Sequence, residues 1–284
     1  MYTKEGIPFY DHTLAAVEYA AKKRMLVGIA TNGDDLTRDK TRALRKSGLL
    51  SMTLSLHTET KKGLDHLIKG GRMAAEEGII PTIQVVATSQ TADSLPGIAA
   101  YTVENGILIS ATVVQEKGVN FSAVPTGESL VPSLEQLTTA YRGLRGLKKF
   151  GLVRNNRNFL SRSDEYFPNR WKCDPEKDHF IHIGAGGTID VCQEVRTNLT
   201  FDDISGLKDP EWRKQKEALV EECNCLYQCY FEASNPDIKG DLTTIGVALL
   251  IRNGGAGLVR KWGQFAADRV KRLEPDIDWT LSLN

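Results

Sequence analysis

A cluster of three cysteines is the part of the sequence best suited to chemistry. Cys223, Cys225 and Cys229 lie within seven residues, so their sulfur atoms can converge on one metal ion or cluster. All five cysteines follow residue 172, and for an intracellular protein this clustering favours metal or redox chemistry over a disulfide framework. Cys173 or Cys192 could supply a fourth ligand. Zinc and iron–sulfur clusters are both commonly bound by four thiolates, and the spacing does not separate them.

The composition restricts the classes of partner. Lysine plus arginine and aspartate plus glutamate number 36 each, so the chain has no net basic field that would hold nucleic acid. We find no secretory signal and no apolar run near the roughly 18 to 20 residues of a membrane-spanning helix. Hydrophobic residues make up 41% of the chain, enough for a core. We expect a cytoplasmic protein with no membrane span.

The first half of the chain repeats one pattern, in which an amphipathic helix is followed by a short β-rich run and a polar loop. The runs are almost continuously apolar or β-branched, which is typical of strands covered on both faces. This alternation predicts a parallel sheet, with ligands at the carboxyl ends of its strands. The predicted helices are His12–Lys23, Arg38–Ser47, Leu64–Glu77 and Leu95–Glu104, and the strands are Leu26–Ala30, Met52–Leu56, Thr82–Ala87 and Ile107–Val114.

A domain boundary is predicted near residue 153, which separates region 1–153 from region 154–284. A helix over Pro132–Phe150, with Ser133 as its N-cap and Gln136 in the capping-box position, ends the alternation, and a long connection over Arg154–Arg170 follows. The second region is predicted to contain a β-hairpin that turns on Gly184–Gly187, a helix that leads into the cysteine cluster, and two helical segments separated at Asn253–Gly255.

Several segments together resemble the radical S-adenosylmethionine (radical SAM) superfamily. Gly6-Ile7-Pro8, Thr31-Asn32-Gly33, Ser51–His57 and Thr88–Leu95 are similar to the later βα units of its barrel. The second region resembles the SPASM or twitch extension that holds an auxiliary cluster in that family. There, one cysteine precedes a hairpin, another follows its glycine turn, and a short cysteine cluster comes after a helix. Cys173, Cys192 and the three clustered cysteines occur in this order.

The resemblance implies an α/β fold in which a partial parallel (β/α) barrel lacking its first unit precedes a small cysteine-rich α+β extension. It implies S-adenosyl-L-methionine contacts at Gly6, Pro8, Asn32 and Ser55, provided that the missing N-terminal segment of the family pattern is supplied. It also implies an auxiliary [4Fe-4S] cluster, whose ligands come from Cys173, Cys192, Cys223, Cys225 and Cys229. Enzymes of this family generate a 5'-deoxyadenosyl radical. The expected partners are a small-molecule or peptide substrate and an electron donor such as ferredoxin or flavodoxin.

One absence separates this chain from the family pattern. The Cys-x3-Cys-x2-Cys motif that binds the S-adenosylmethionine-cleaving cluster should precede Gly6, but no cysteine precedes Cys173. Ile7 also replaces the usual acidic residue of the Gly-Gly-Glu-Pro segment. We therefore expect either a fragment or misassigned start of such an enzyme, or a true loss of the module. The alternatives are a non-catalytic zinc or iron–sulfur binding module and an inactive truncated relic.

Overall fold

The computed structural model of the chain describes residues 10–57, 60–114, 130–162, 181–184, 186–192, 197–200, 202–203, 210–221, 232 and 237–283. In the first half, helices and strands alternate as the sequence predicts. They are α1 Tyr10–Lys22, β1 Gly28–Thr31, α2 Arg38–Lys46, β2 Ser51–Leu56, α3 Lys61–Glu76, β3 Ile80–Ala87, α4 Leu95–Glu104, β4 Leu108–Val113, α5 Leu134–Lys148 and α6 Arg157–Ser161.

The four strands form one parallel sheet in chain order, β1-β2-β3-β4. The α/β prediction is therefore confirmed. The alternation does not stop at α5, however, because Val153 forms a parallel bridge to Ile109 of β4 and adds a fifth position to the sheet. The predicted long connection also contains helix α6, which begins because the side chain of Asn156 accepts hydrogen bonds from the backbone of Asn158 and Phe159.

Local sequence signals account for several helix ends. Ser133 and Gln136 form the predicted capping box at the start of α5. Helix α3 begins three residues before the predicted Leu64, because the Thr60 hydroxyl accepts a hydrogen bond from Gly63 N and caps the helix there. Gly78 follows α3 with φ of +75°, a conformation that favours glycine and ends the helix.

The apolar face of the sheet packs against the helices. Met52 and Leu54 of β2 are fully buried, and a Cβ atom added at Gly71 of α3 would lie 3.5 Å from Leu54 Cδ1. Leu54 is paired with Ile83 of β3, which is paired in turn with Ile109 of β4. Because paired residues of adjacent strands point to the same side, these side chains form the centre of the core.

The C-terminal region contains the predicted hairpin and helices. The strands β5 His182–Ile183 and β6 Ile189–Asp190 pair antiparallel, and three helices follow in the described part of this region. These helices are α7 Pro210–Glu221, α8 Ile238–Arg252 and α9 Ala256–Leu273. None of the helices in the described ranges is long and apolar enough to cross a membrane.

Helices α8 and α9 share the core of the sheet. Arg252 of α8 donates hydrogen bonds from Nη1 to the carbonyl oxygens of Leu49 and Gly78, which precede β2 and β3. Thr244 Oγ1 donates to the carbonyl of Val153 at 3.4 Å. Helix α8 therefore crosses the amino ends of the strands. Gly263 of α9 packs directly on the carbonyl of Val103 at the end of α4.

Candidate functional site

The face of the sheet turned away from Leu54 is polar. Side chains alternate between the two faces of a strand, so the neighbours of Leu54 along β2 and their paired residues point to the opposite face. Ser55 is paired with Gln84, and Gln84 is paired with Ser110. Thr53 is paired with Thr82 in the row below. A row of hydroxyl and amide groups therefore crosses β2, β3 and β4.

We call this surface the polar face. None of its residues in β1 to β4 carries an ionisable side chain, so these strands offer a ligand hydrogen bonds. Gly28 and Ala30 are exposed, which leaves the β1 side of the polar face open. Its residues are Gly28, Ala30, Ser51, Thr53, Ser55, Ile80, Thr82, Gln84, Val86, Leu108, Ser110 and Thr112.

Two hydroxyl groups of the polar face are buried and lack hydrogen-bond partners. Ser55 is 6% exposed and Thr82 is 1% exposed, and within the described part of the chain neither side-chain oxygen is hydrogen-bonded. A buried hydroxyl without a partner is costly, and such groups in native proteins usually meet a water molecule or a ligand. Ser55 and Thr82 are therefore the groups on this face most suited to bind a polar ligand.

Asn32 lies beside Ser55 at the carboxyl edge of the sheet. Thr31 and Leu54 form the last pair between β1 and β2, and Asn32 and Ser55 are the residues that follow them in the sequence. The Asn32 side chain donates from Nδ2 to Asp34 Oδ2 at 2.7 Å and accepts from Asp34 N at 3.4 Å. This turn holds the amide in place. Of the four predicted S-adenosylmethionine contacts, Asn32 and Ser55 are thus neighbours, while Gly6 and Pro8 lie outside the described residues.

The predicted metal site is described at one residue. Cys192 is buried two residues after β6, whereas Cys173, Cys223, Cys225 and Cys229 lie outside the described residues. Within the described ranges, no group of three or more histidine, cysteine, aspartate or glutamate side chains could hold a metal ion. A metal site at Cys192 would thus need the other thiols of the set.

The hairpin before Cys192 has the predicted form. Gly187, with φ of +81°, lies in the turn, and its N–H donates to the carbonyl of Gly184. His182 and Asp190 are paired across the hairpin, with His182 Nδ1 3.3 Å from Asp190 Oδ2. The second oxygen of Asp190 accepts from Thr197 N at 3.0 Å. These contacts fix the segment that leads to Cys192.

A buried carboxyl group at Glu232 was not predicted from the sequence. Its Oε1 accepts hydrogen bonds from Asn156 N at 2.8 Å and from Asn155 Nδ2 at 3.4 Å. Burial raises the pKa of Glu232 to about 7, although these two hydrogen bonds act in the opposite direction. These contacts attach Glu232, which follows Cys229 by three residues in the sequence, to the residues after Val153.

Two more buried polar groups lie around Glu232. The Tyr141 hydroxyl is fully buried without a partner among the described residues, and burial together with the Glu232 charge raises its pKa well above the usual range. Lys148 is buried, and its Nζ lies 3.3 Å from Asp241 Oδ1 and 3.2 Å from Thr244 Oγ1. Lys148 thus joins the end of α5 to α8, close enough to Glu232 for their charges to interact.

A local signal existed for the polar face but not for the Glu232 cluster. The alternation of polar residues at Thr53 and Ser55, at Thr82 and Gln84, and at Ser110 and Thr112 has the two-residue period of a strand with one polar face. Because threonine is β-branched, these residues also fit the pattern of a strand covered on both faces, and that pattern was the one predicted. Nothing near Glu232 in the sequence indicates Asn155 as its partner.

Neither a scan against protein-family models nor a search of curated proteins found a match for this chain.

Proposed function

We propose that this chain is a radical SAM-type iron–sulfur protein. In this proposal, β1 to β4 and their helices are the later units of a partial (β/α) barrel. The C-terminal cysteines hold an auxiliary [4Fe-4S] cluster, and the substrate is a peptide or small molecule that binds at the polar face. A ferredoxin or flavodoxin would serve as electron donor.

The observation that carries the proposal is the order of the sheet. A doubly wound sheet reverses its strand order at a switch point, whereas a (β/α) barrel adds each strand beside the previous one. Here β1, β2, β3, β4 and Val153 occupy consecutive positions without reversal. Among the described residues β1 pairs with β2 alone, so its other edge is available to a further strand.

The carboxyl edge of this sheet is where a ligand of such a barrel would lie. Asn32 and Ser55 are adjacent there, and the buried hydroxyl of Ser55 has hydrogen-bonding capacity to offer. Bound S-adenosylmethionine with a reduced cluster would supply hydrogen-abstracting radical chemistry. The residues of this chain would orient the cofactor and substrate through neutral hydrogen bonds.

The auxiliary cluster would draw its ligands from Cys173, Cys192, Cys223, Cys225 and Cys229, five thiols for four positions. Cys192 is buried, which suits a ligand shielded from solvent. Activity as a radical enzyme would also need a Cys-x3-Cys-x2-Cys motif, which is absent from these 284 residues. The iron site and the activity are therefore tested separately.

The metal is tested by anaerobic purification and reconstitution with iron and sulfide. We expect a brown protein with equal amounts of iron and sulfide and the paramagnetic resonance signal of a reduced [4Fe-4S] cluster. Replacing Cys223, Cys225 and Cys229 with serine should abolish iron binding. A colourless protein that retains zinc instead of iron would contradict the cluster and favour the structural zinc module.

The cofactor site is tested by calorimetric titration with S-adenosylmethionine. Losing one neutral hydrogen bond should weaken binding about 3- to 10-fold, so Ser55→Ala should have an effect of this size. Ser51→Ala is the matched control, because Ser51 lies on the same face at the amino end of β2. Equal effects of the two substitutions would exclude Ser55 as a cofactor contact.

A further inference from the structure

Helix α8 exposes a stripe of large apolar side chains. Ile238, Leu242, Ile245 and Leu249 are all at least half exposed, and they follow each other at intervals of four, three and four residues. This spacing places them along one side of the helix, as in the seam of a coiled coil. The opposite side is buried in the core through residues that include Ile251.

Helix α9 extends this exposed apolar area. Leu258, Trp262 and Phe265 are exposed at intervals of four and three residues. The Trp262 and Phe265 rings stack on each other at a centroid distance of 5.5 Å, and both contact Phe150. The next residue, Gly151, packs on the carbonyl of Thr243 in α8, so the two apolar areas adjoin.

We call the combined area the apolar surface. Its side chains are between 41% and 70% exposed, and they are Ile238, Leu242, Ile245, Leu249, Leu250, Leu258, Trp262 and Phe265. With on the order of 200 Å² per fully exposed large side chain, they leave roughly 900 Å² of apolar surface uncovered. The largest such patch on a typical monomer is about 300 to 600 Å². A standard protein interface buries about 800 Å² on each partner.

We propose that a second copy of this chain covers the apolar surface, which makes the protein a two-fold symmetric dimer. A symmetric dimer uses the same patch on both subunits, and the coiled-coil spacing of α8 suits a helix that pairs with its own copy. The exposed area of the apolar surface is close to the area that each partner buries in a standard protein interface. The net charge of zero does not oppose the approach of two copies.

Internal contacts occupy two of the three charged residues of α8, and the third, Lys239, is exposed. Asp241 is paired with buried Lys148, and Arg252 donates to the carbonyls of Leu49 and Gly78. A single exposed lysine on α8 favours a protein partner over an anionic bilayer, which would need several basic groups along the helix. Lys261 and Arg269 lie on α9, so a bilayer is the competing occupant that the test must separate.

The proposal is tested by light scattering after size-exclusion chromatography of the full chain. We expect twice the monomer mass of 31.4 kDa. The double variant Leu242→Glu/Leu249→Glu should raise the dimer dissociation constant by about 100-fold or more, because each charge would be buried in the interface. Its circular dichroism should not change. Leu134→Glu is the matched control and should remain a dimer, because Leu134 is exposed at the start of α5, beyond the carboxyl edge of the sheet.

Cross-linking gives a second measurement that does not depend on a charged variant. Ile245 is near the middle of the stripe, where symmetry brings a residue close to its own copy. Ile245→Cys should form a covalent dimer on mild oxidation, whereas Leu134→Cys should not. A monomeric wild type, or a dimer that survives the double substitution without a 245 cross-link, would overturn the proposal. The proposal would also be overturned if the wild type were a monomer that sediments with phosphatidylglycerol vesicles and if the double variant did not sediment with them.

Discussion

The side chain of Asn155 binds both backbone groups of Ala111 in β4. Its Oδ1 accepts from Ala111 N at 2.7 Å, and its Nδ2 donates to Ala111 O at 2.8 Å. Backbone pairing at this edge of the sheet involves Val153 and Ile109 two residues earlier. The Asn155 amide thus replaces a strand backbone where the chain leaves the sheet. It also donates to Glu232, so one amide contacts both β4 and this buried carboxyl group.

Removing this amide should destabilise the fold. In Asn155→Ala, two buried backbone groups of β4 lose their partner, so we expect the free energy of unfolding to fall by about 2 to 4 kcal/mol. Urea denaturation followed by circular dichroism measures the loss. The control is Asn253→Ala, which removes an exposed amide in the turn after α8 and should change stability by less than about 0.5 kcal/mol. Equal stabilities of the two variants would refute the role of Asn155.

Glu232 should make stability depend on pH between about 4.5 and 7. Below its reference pKa of 4.5 the carboxyl is neutral in both states, so its ionisation contributes nothing. As the pH rises, the unfolded chain releases this proton first, whereas the folded chain keeps it until about pH 7. The unfolded state is thereby favoured, and stability falls across this interval and then levels off.

The variant Glu232→Gln isolates this effect. Glutamine keeps an oxygen that can accept from Asn156 N, but it cannot ionise. We expect the variant to gain stability relative to wild type between pH 5 and pH 8, by on the order of 1 to 3 kcal/mol. Urea midpoints at both pH values measure the gain. Exposed Glu135 in α5 is the control site, where Glu135→Gln should give the same difference from wild type at both pH values.

The strands and helices were predictable because their signals are local. Ser133 with Gln136 marked the start of α5, and Gly78 marked the end of α3. The position of Val153 in the sheet was missed because a single bridging residue cannot show the alternation of polar and apolar residues that predicts a strand. Asn155 was missed for a different reason, since its function as a strand substitute depends on Ala111, which lies 44 residues earlier in the chain.

The candidate site was predictable in part. Strand ends of a parallel sheet meet at one edge, so Asn32 and Ser55 could be placed together from the alternation of elements alone. Thr82 was counted only as a β-branched strand residue, because its face depends on register with Thr53. The position of Glu232 depends on tertiary contacts, and desolvation by those contacts is what raises its pKa.

The unpartnered hydroxyl of Thr82 should be dispensable for stability. Valine has nearly the same shape and removes the buried polar atom, so Thr82→Val should leave the free energy of unfolding unchanged or raise it by up to about 1 kcal/mol. Thr41 of α2 is the matched control. It is also fully buried, but its Oγ1 donates to the carbonyl of Thr37 at 2.8 Å, so Thr41→Val should lower stability by about 1 kcal/mol. A large loss in Thr82→Val would indicate a bound water or another partner of this hydroxyl.

Helix α9 should be as necessary to the fold as the helices of the first half. A methyl group added at Gly263 would clash with the carbonyl of Val103, which cannot move without shifting the end of α4. We therefore expect Gly263→Ala to lower the free energy of unfolding by about 3 kcal/mol or more. Gly257 lies in the same helix with open space around it, so Gly257→Ala should be neutral or stabilise the protein by up to about 0.5 kcal/mol.

The same pair of variants tests whether α9 unfolds with the sheet. Val270 of α9 packs against Gly146 of α5, so both helices belong to one packed layer. If α9 unfolds together with the sheet, Gly263→Ala will lower the midpoint of a single cooperative transition. A separate early transition in the variant, with the main transition unchanged, would instead mean that α9 detaches while the sheet stays folded. Tryptophan fluorescence, to which Trp262 of α9 contributes, is followed alongside far-ultraviolet circular dichroism, and coincident curves indicate one transition.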